Sequence, residues 1–115
     1  MSWYSETMGF IDINDAPEKE ILPGCKAKFI HSNNMTFVYW QIKAQKKLPE
    51  HSHHHEQVVH VIQGEFELSI DTKTQVMKAS DMAIIPANIK HSGYAITECK
   101  IIDAFYPIRE DYIFE

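Results

Sequence analysis

The chain has 115 residues, of which 44% are hydrophobic and 23% charged, a composition typical of one folded globular domain rather than of a disordered protein. Its formal net charge is −5 and it has no basic block, which argues against a dedicated nucleic-acid or anionic-membrane binder. No apolar run approaches the ~18 residues of a membrane-spanning helix, and no secretory signal is visible. We therefore expect a cytoplasmic protein in which Cys25 and Cys99 are reduced thiols, although a disulfide between them stays open.

Short strands separated by turn signals are predicted along the whole chain, because branched and aromatic residues recur at short spacing between Gly, Pro, Asn and Asp. Residues 10–13 could form an edge strand before turns at residues 14–17 and 23–24. Further strands are predicted at residues 26–30, 35–42, 57–62, 65–70, 74–78, 81–85, 91–96 and 98–106. No segment longer than ten residues has a convincing helical period. Roughly eight to ten short strands indicate a single all-β domain, either a sandwich or a barrel.

The internal run at residues 51–57, His-Ser-His-His-His-Glu-Gln, holds four of the seven histidines. A histidine run can be a solvated turn or an expression tag, but a tag is terminal and uninterrupted. Because alternate side chains of a strand share a face, His51 and His53 can chelate one ion, and Gln57 can return to it if the intervening residues bend. His91 could supply a fourth ligand. Imidazole donors favour a transition metal over calcium or magnesium.

Two spacings resemble the two motifs of the cupin family: His51-x-His53-x-x-x-Gln57 followed by Gly64, and Asp81-x4-Pro86-x4-His91. The resemblance implies a single cupin domain over residues 1–115, with its motif core at about residues 24–113, folded as a double-stranded β-helix or jelly-roll barrel. It also implies one divalent transition metal ion, which could be nickel, zinc, iron or manganese. On this resemblance the metal ligands are His51, His53, Gln57 and His91.

Gln57 occupies a position where cupins commonly have glutamate. Glu56 is adjacent, but it has the wrong spacing to Gly64 and would point to the opposite face of a regular strand, so we prefer Gln57. Three neutral imidazoles and a neutral amide leave the full +2 charge on the ion. Such a centre is a stronger electrophile than one that already carries a carboxylate.

The chain lacks the glycines that the cupin motifs lead one to expect near Gln45, at Ser80 and at Asn88, and Ala95 replaces a late asparagine. Asn88 can still adopt a left-handed backbone at modest cost, whereas Ser80 does so less readily. These departures weaken the prediction of the turns more than that of the metal site, because the ligands are intact.

The segment Asp103-Ala-Phe105-Tyr-Pro107-Ile-Arg109-Glu-Asp111 is the second informative stretch. A carboxylate in an apolar strand is costly to bury unless it is paired, hydrogen-bonded or protonated. Alternation places Asp103 and Phe105 on one face, which is the barrel interior if Ile101 faces inward. Otherwise Asp103 marks the exposed face of the strand, and Arg109 is an ordinary surface charge.

This segment and the histidine run together are similar to the small cupins of pectin and alginate breakdown, the KdgF type. That family converts 4,5-unsaturated monouronates into linear 5-keto-4-deoxyuronates. The resemblance implies a metal-dependent ring-opening and tautomerising enzyme in which Asp103 moves a proton, Arg109 holds the substrate carboxylate and Phe105 packs against the sugar ring. It also implies a carboxylated sugar as substrate and, as is frequent for cupins of this size, a homodimer.

Two other functions stay open: another metal cupin enzyme, such as a dioxygenase or a sugar isomerase, and a non-catalytic cupin that binds a small ligand. Among the remaining residues, His60 is out of phase with the metal-facing side chains and is expected to face away. His31 precedes a turn and is expected to be exposed. His54 and His55 are expected to line the mouth of the site, although one of them could be an alternative metal ligand. Trp40 is expected to lie in the core or a dimer interface.

Overall fold

The computed structural model describes residues 8–113, in which ten strands are accompanied by two short 3-10 helices and no α-helix. The strands are β1 (Lys19–Leu22), β2 (Cys25–His31), β3 (Thr36–Ile42), β4 (Lys47–His51), β5 (Glu56–Gln63), β6 (Phe66–Ile70), β7 (Lys73–Met77), β8 (Met82–Ile85), β9 (His91–Ala95) and β10 (Cys99–Tyr106). The 3-10 helices are η1 (Ile13–Asp15) and η2 (Glu110–Tyr112). No helix in this part of the chain is long and apolar enough to cross a membrane.

The strands form two antiparallel sheets that together make a jelly-roll barrel. One sheet has the order β1-β2-β3-β10-β5-β8, and the other has the order β4-β9-β6-β7. The core holds apolar side chains from both sheets, among them Phe29, Val38, Val61, Phe66 and Leu68. The predicted all-β jelly roll is therefore confirmed.

The in-and-out alternation of the central strands brings polar groups into the barrel. In β10 the inward residues include Ile101, Asp103 and Phe105, all of which are buried. The register of β10 against β5 sets Phe105 opposite Gln57. Because Ile101 faces inward, the alternative in which Asp103 marks an exposed face is wrong.

The N-terminal edge strand predicted at residues 10–13 is not formed. Residues 10–12 have no regular structure, and Ile13 begins the helix η1. The carboxylate of Asp12 accepts a hydrogen bond from the backbone N–H of Asn14 at 2.9 Å and so caps this short helix. Local capping therefore outweighs the strand propensity of the two isoleucines.

The three positions without motif glycines keep a left-handed backbone. The φ angles are 69° at Gln45, 81° at Ser80 and 66° at Asn88. For a residue with a Cβ atom this conformation costs about 1–2 kcal/mol. The backbone N–H of Asn88 donates to the carbonyl of His53 at 2.7 Å, so this turn holds the histidine loop in place.

The expectation that His31 is exposed is wrong, since this residue is only 1% exposed. The alternation of β2 continues to its last residue and turns the ring inward. Its Nε2 lies 3.0 Å from the carbonyl oxygen of Tyr112, and its Nδ1 lies 2.8 Å from Oγ1 of Thr36. A carbonyl only accepts, so Nε2–H donates to it and Nδ1 accepts from the threonine hydroxyl. These bonds tie the C-terminal segment to the barrel.

Candidate metal centre and active site

Three histidines converge at one end of the barrel. His51 ends β4, His91 begins β9, and the pairing of these strands sets the two residues opposite each other. His53 follows in the loop between β4 and β5. One ring nitrogen of each histidine lies within 4.8 Å of those of the other two. This grouping is the one that the motif spacing predicts.

All three rings are oriented by their Nδ1 atoms. The acceptors are backbone carbonyl oxygens: Pro49 for His51 at 2.8 Å, His55 for His53 at 3.0 Å and Ile89 for His91 at 2.9 Å. Because a carbonyl only accepts, each Nδ1 carries the proton and each Nε2 keeps a lone pair. This is the tautomer in which a histidine binds a metal while its second nitrogen is held by the protein.

Two further observations fit a cation at this place. The Nε2 atom of His91 is buried and has no hydrogen-bond partner. The Nε2 atom of His53 lies 3.1 Å from Oε1 of Gln57, so two acceptors face each other. Either a shared cation or an amide turned by 180° removes that repulsion. A cation also accounts for the unpartnered atom of His91, so the donor set fits a divalent transition metal.

The electrostatics keep two of these imidazoles, those of His53 and His91, neutral. Burial lowers the pKa of His53 to about 4, and the positive charge of Arg109 acts in the same direction. Burial also lowers the pKa of His91. Neutral imidazoles are the form that binds metal, so these two need not lose a proton at neutral pH.

Asp103 lies beside this cluster, 8% exposed, with its two oxygens in different surroundings. Oδ2 accepts a hydrogen bond from the indole N–H of Trp40 at 3.0 Å, whereas Oδ1 is buried without a partner. Burial raises the pKa of this carboxyl group to about 6, although the amide of Gln57, the indole of Trp40 and the charge of Arg109 oppose the rise. A carboxyl group with this pKa can both give and take a proton near neutral pH.

Arg109 is buried, with 8% exposure, so its alternative interpretation as an ordinary surface charge is wrong. Its guanidinium lies between the rings of Phe105, at 4.7 Å, and Tyr112, at 4.3 Å. Nε and Nη2 donate to the two carboxylate oxygens of Asp111 at 3.0 and 2.7 Å. The hydroxyl of Tyr112 also accepts from this group. A guanidinium has five N–H donors, so those not taken by Asp111 and Tyr112 remain for another ligand.

A cavity of about 150 Å³ joins these groups. Its polar lining comes from side chains that the sequence singled out, and its apolar lining continues into the core; the site residues among its walls are His51, Gln57, His91, Asp103, Phe105 and Arg109. The ring of His53 packs edge-on against Phe105 at 5.6 Å. The structure therefore brings six of the seven predicted site residues around one space, and His53 adjoins it through its contacts with His91 and Phe105.

Several residues near the site were placed differently or not found from the sequence. Trp40 is buried as expected, but it also lines the cavity and donates to Asp103. His55 is buried rather than merely at the mouth, whereas His54 is exposed. Gln57 is buried and Glu56 is exposed, so Gln57 is the one that faces the barrel interior, as the spacing to Gly64 predicted. His60 lies on the outward face of β5, as its phase predicted.

Comparison with known proteins agrees with this geometry. A family model described as a cupin domain matches residues 38–105. The pectin degradation protein KdgF of Dickeya dadantii (strain 3937) is 29% identical in an alignment 107 residues long that covers 90% of this chain and 96% of the relative.

Solved structures show the same architecture. An RmlC-like cupin from Shewanella frigidimarina NCIMB 400 superposes with a TM-score of 0.86 at 26% identity, over 91% of this chain and 96% of that chain. KdgF from Halomonas sp. superposes with a TM-score of 0.86 at 24% identity, over 91% of this chain and 98% of that chain. At 24% identity, the match to the Halomonas protein shows only that the two proteins share a fold.

Proposed function

The chain belongs to the cupin family, and we propose that it is a metal-dependent enzyme that converts 4,5-unsaturated monouronates into linear 5-keto-4-deoxyuronates. Two findings support the proposal: the similarity to a relative named for pectin degradation, and a cavity that combines a metal-binding donor set with a titratable carboxyl group and an arginine. The substrate is a carboxylated sugar derived from pectin or alginate.

The donors for the ion would be His51, His53, His91 and Gln57. When bound, a divalent ion of this kind acts as a Lewis acid that stabilises negative charge developing on a substrate oxygen. The protein contributes oriented ligands, of which burial keeps His53 and His91 neutral, and the cavity is also lined by the titratable carboxyl group of Asp103.

The proposed reaction is an isomerisation that needs neither oxidant nor water. Opening of the hemiacetal breaks the bond between C1 and the ring oxygen and moves the proton of the C1 hydroxyl to that oxygen, which leaves an aldehyde at C1 and an enol at C5. A proton is then added at C4 and the enol hydroxyl gives up its proton, so that a ketone forms at C5. The atoms of the substrate and product are the same, and only one proton has changed place.

Asp103 would carry that proton. Its side chain lines the cavity, and the indole of Trp40 holds Oδ2. With a pKa of about 6, a fraction of the carboxyl groups is protonated at neutral pH and can donate to C4. The resulting carboxylate can then accept the proton of the enol. The observation that carries the proposal is the position of this buried, titratable carboxyl group beside three histidines that can bind a metal.

Arg109 and Phe105 would bind the substrate. The N–H donors of Arg109 that Asp111 and Tyr112 do not take can hold a carboxylate in two-pronged fashion. Stacking against Phe105 and Tyr112 fixes the plane of the guanidinium, so less side-chain entropy is lost on binding. Phe105 offers its remaining surface to the sugar ring and excludes water.

The test is an absorbance assay with unsaturated galacturonate, run in parallel with an oxygen electrode. The proposal predicts loss of the conjugated-alkene absorbance with no oxygen consumption. Consumption of oxygen would place the protein among the cupin dioxygenases instead. Tight binding of the uronate without any turnover would identify a ligand-binding cupin.

A homodimer, which the family resemblance implies, would use the outer face of the larger sheet. This face carries large apolar side chains that are partly or largely exposed: Tyr39 at 38%, Ile62 at 43%, Met82 at 61% and Ile84 at 65%. We expect sedimentation equilibrium to give twice the chain mass, and Ile84→Lys to give a monomer. A monomer for the unmodified protein would contradict this part of the proposal.

A further inference from the structure

A second group of metal-binding side chains lies outside the site described above. His54 and His55 come from the loop between β4 and β5, and Glu110 comes from η2 after the last strand. One donor atom of each residue lies within 4.8 Å of those of the other two. None of the three belongs to the first donor set.

His55 is the unusual member of this group. The residue is 5% exposed, and both of its ring nitrogens are buried without a hydrogen-bond partner. A buried polar group that loses water and gains no partner costs about 1–3 kcal/mol. The backbone carbonyl of Ile108 interacts with this ring and can accept from one nitrogen at most. At least one buried nitrogen therefore needs a partner that the protein's own hydrogen bonds do not supply.

The nearest charged atom points to that explanation. Oε1 of Glu110 lies 4.0 Å from Nε2 of His55, which is too far for a hydrogen bond. Two ligands of one tetrahedral zinc ion lie about 3.3 Å apart, since each is about 2.0 Å from the metal. The side chain of Glu110 is 74% exposed and can close the difference by rotation.

We propose that His54, His55 and Glu110 form a second site for a divalent transition ion of the zinc class. Two imidazoles and one carboxylate suit zinc, cobalt or nickel better than calcium or magnesium. Three protein ligands leave a coordination position for water, as in open zinc sites. In contrast to the first donor set, this one includes a carboxylate and so offsets part of the charge of its ion.

An ion at this site would connect two parts of the active site. The loop that carries His54 also carries His53 of the first donor set, and Glu110 is the neighbour in sequence of Arg109. An ion held by His54, His55 and Glu110 would therefore link the histidine loop to the segment that carries Arg109, and would limit the movement of the guanidinium. The histidine loop already contacts the end of the chain through the ring of His55, which packs against Phe105 at 6.3 Å and interacts with the backbone of Ile108.

The experiment counts zinc ions per chain by isothermal titration calorimetry of the metal-stripped full-length protein, with cobalt absorbance as a second readout. The unmodified chain should bind one ion more than Glu110→Ala and one more than His54→Ala. Glu98→Ala is the matched control, because Glu98 is exposed and distant in the fold from η2, and it should bind as many ions as the unmodified chain. Glu110→His replaces one ligand type by another and should keep the extra ion.

The test compares the number of ions bound by each variant, so its result does not depend on how many ions the first site binds or on whether the protein turns over the uronate. Equal ion counts and affinities for the unmodified chain, Glu110→Ala and His54→Ala would overturn the proposal. A loss of the extra ion in Glu110→His as well as Glu110→Ala would also contradict it, since histidine is a competent ligand. Circular dichroism of each variant checks that the strands are retained.

Discussion

Replacing Asp103 by Asn is the most informative single change, because it should lower activity and raise stability at the same time. Asparagine keeps the shape of the side chain, and its amide oxygen can still accept from the indole of Trp40. It cannot transfer a proton. Turnover of the unsaturated uronate should fall by about 10²–10⁴-fold, the range for loss of a general acid–base. Metal content should not change.

The effect on stability follows from the pKa of Asp103. Burial raises this pKa from 3.8 to about 6, so the folded state favours the protonated form. Its stabilising contribution is fully present below pH 3.8 and is lost as the pH rises through about 6. The loss amounts to about 3 kcal/mol at 1.36 kcal/mol per pKa unit. Asparagine has no charge to bury, so metal-free Asp103→Asn should be more stable than the unmodified chain at pH 8 by up to that amount.

His53 affects the pH dependence of stability in the opposite sense to Asp103. Burial lowers its pKa from 6.5 to about 4, so the folded state disfavours the proton and stability is lost as the pH falls from 6.5 towards 4. In the unmodified metal-free protein the two groups largely offset each other over this window. Asp103→Asn should remove the offset and show a steeper loss of stability on acidification.

Urea unfolding of both metal-free proteins between pH 4 and pH 8, together with the uronate assay, measures all of these effects. Near-normal turnover by Asp103→Asn would refute the assigned role. A variant that loses activity but is also less stable than the unmodified chain at pH 8 would refute the account of the buried carboxyl group.

Three further substitutions test neighbouring parts of the account. Trp40→Phe removes the N–H that holds Asp103, so kcat should fall by about tenfold and the pKa of the acid–base group in the kcat profile should rise; an unchanged pH profile would contradict this positioning role. Arg109→Lys keeps the charge but loses the planar fork, so KM should rise more than kcat falls in steady-state assays, and an effect on kcat alone would point to another role. Ser80→Gly relieves the left-handed backbone at φ 81°, so urea unfolding should show stabilisation by about 1 kcal/mol, whereas no gain would mean that the turn is not strained.

The sequence predicted eight of the ten strands, because their inward and outward positions alternate clearly; β1 and β4 were not predicted, and the strand expected at residues 10–13 does not form. It also predicted that His51, His53 and His91 lie together, since the spacing from His51 to Gln57 and the motif around His91 carry that information locally. What alternation alone could not decide was the phase of β10. Asp103 faces inward only because Ile101 does, and this depends on packing against the rest of the barrel.

The surroundings of Asp103 could not be predicted because they depend on partners far away in sequence. The indole that holds the carboxyl group is 63 residues distant, and only the register of β3 against β10 brings the two together. A tryptophan in phase with the inward residues of β3 was the available signal, but it is equally typical of an ordinary core residue. The clamp of Asp111 on Arg109 was missed for another reason, because it forms in irregular chain after the last strand.

At the positions where the cupin motifs have glycine, the backbone conformation is not the one that the residues present there favour. Ser80 and Asn88 adopt the left-handed conformation although neither is glycine. At Asn88 the turn supplies a hydrogen bond to the histidine loop, and at Ser80 the backbone N–H donates to the carbonyl of Val61 at 2.9 Å. Tertiary contacts therefore impose a conformation that local propensity disfavours.

The central claim is that a metal held by the histidine cluster is required for conversion of an unsaturated uronate. The most direct measurement follows the loss of alkene absorbance from unsaturated galacturonate on one preparation as isolated, after removal of metal by a chelator, and after stoichiometric reloading, with metal content measured each time. The account predicts turnover that disappears with the metal and returns on reloading. Equal rates in all three states, or no turnover of the uronate in any of them, would contradict it.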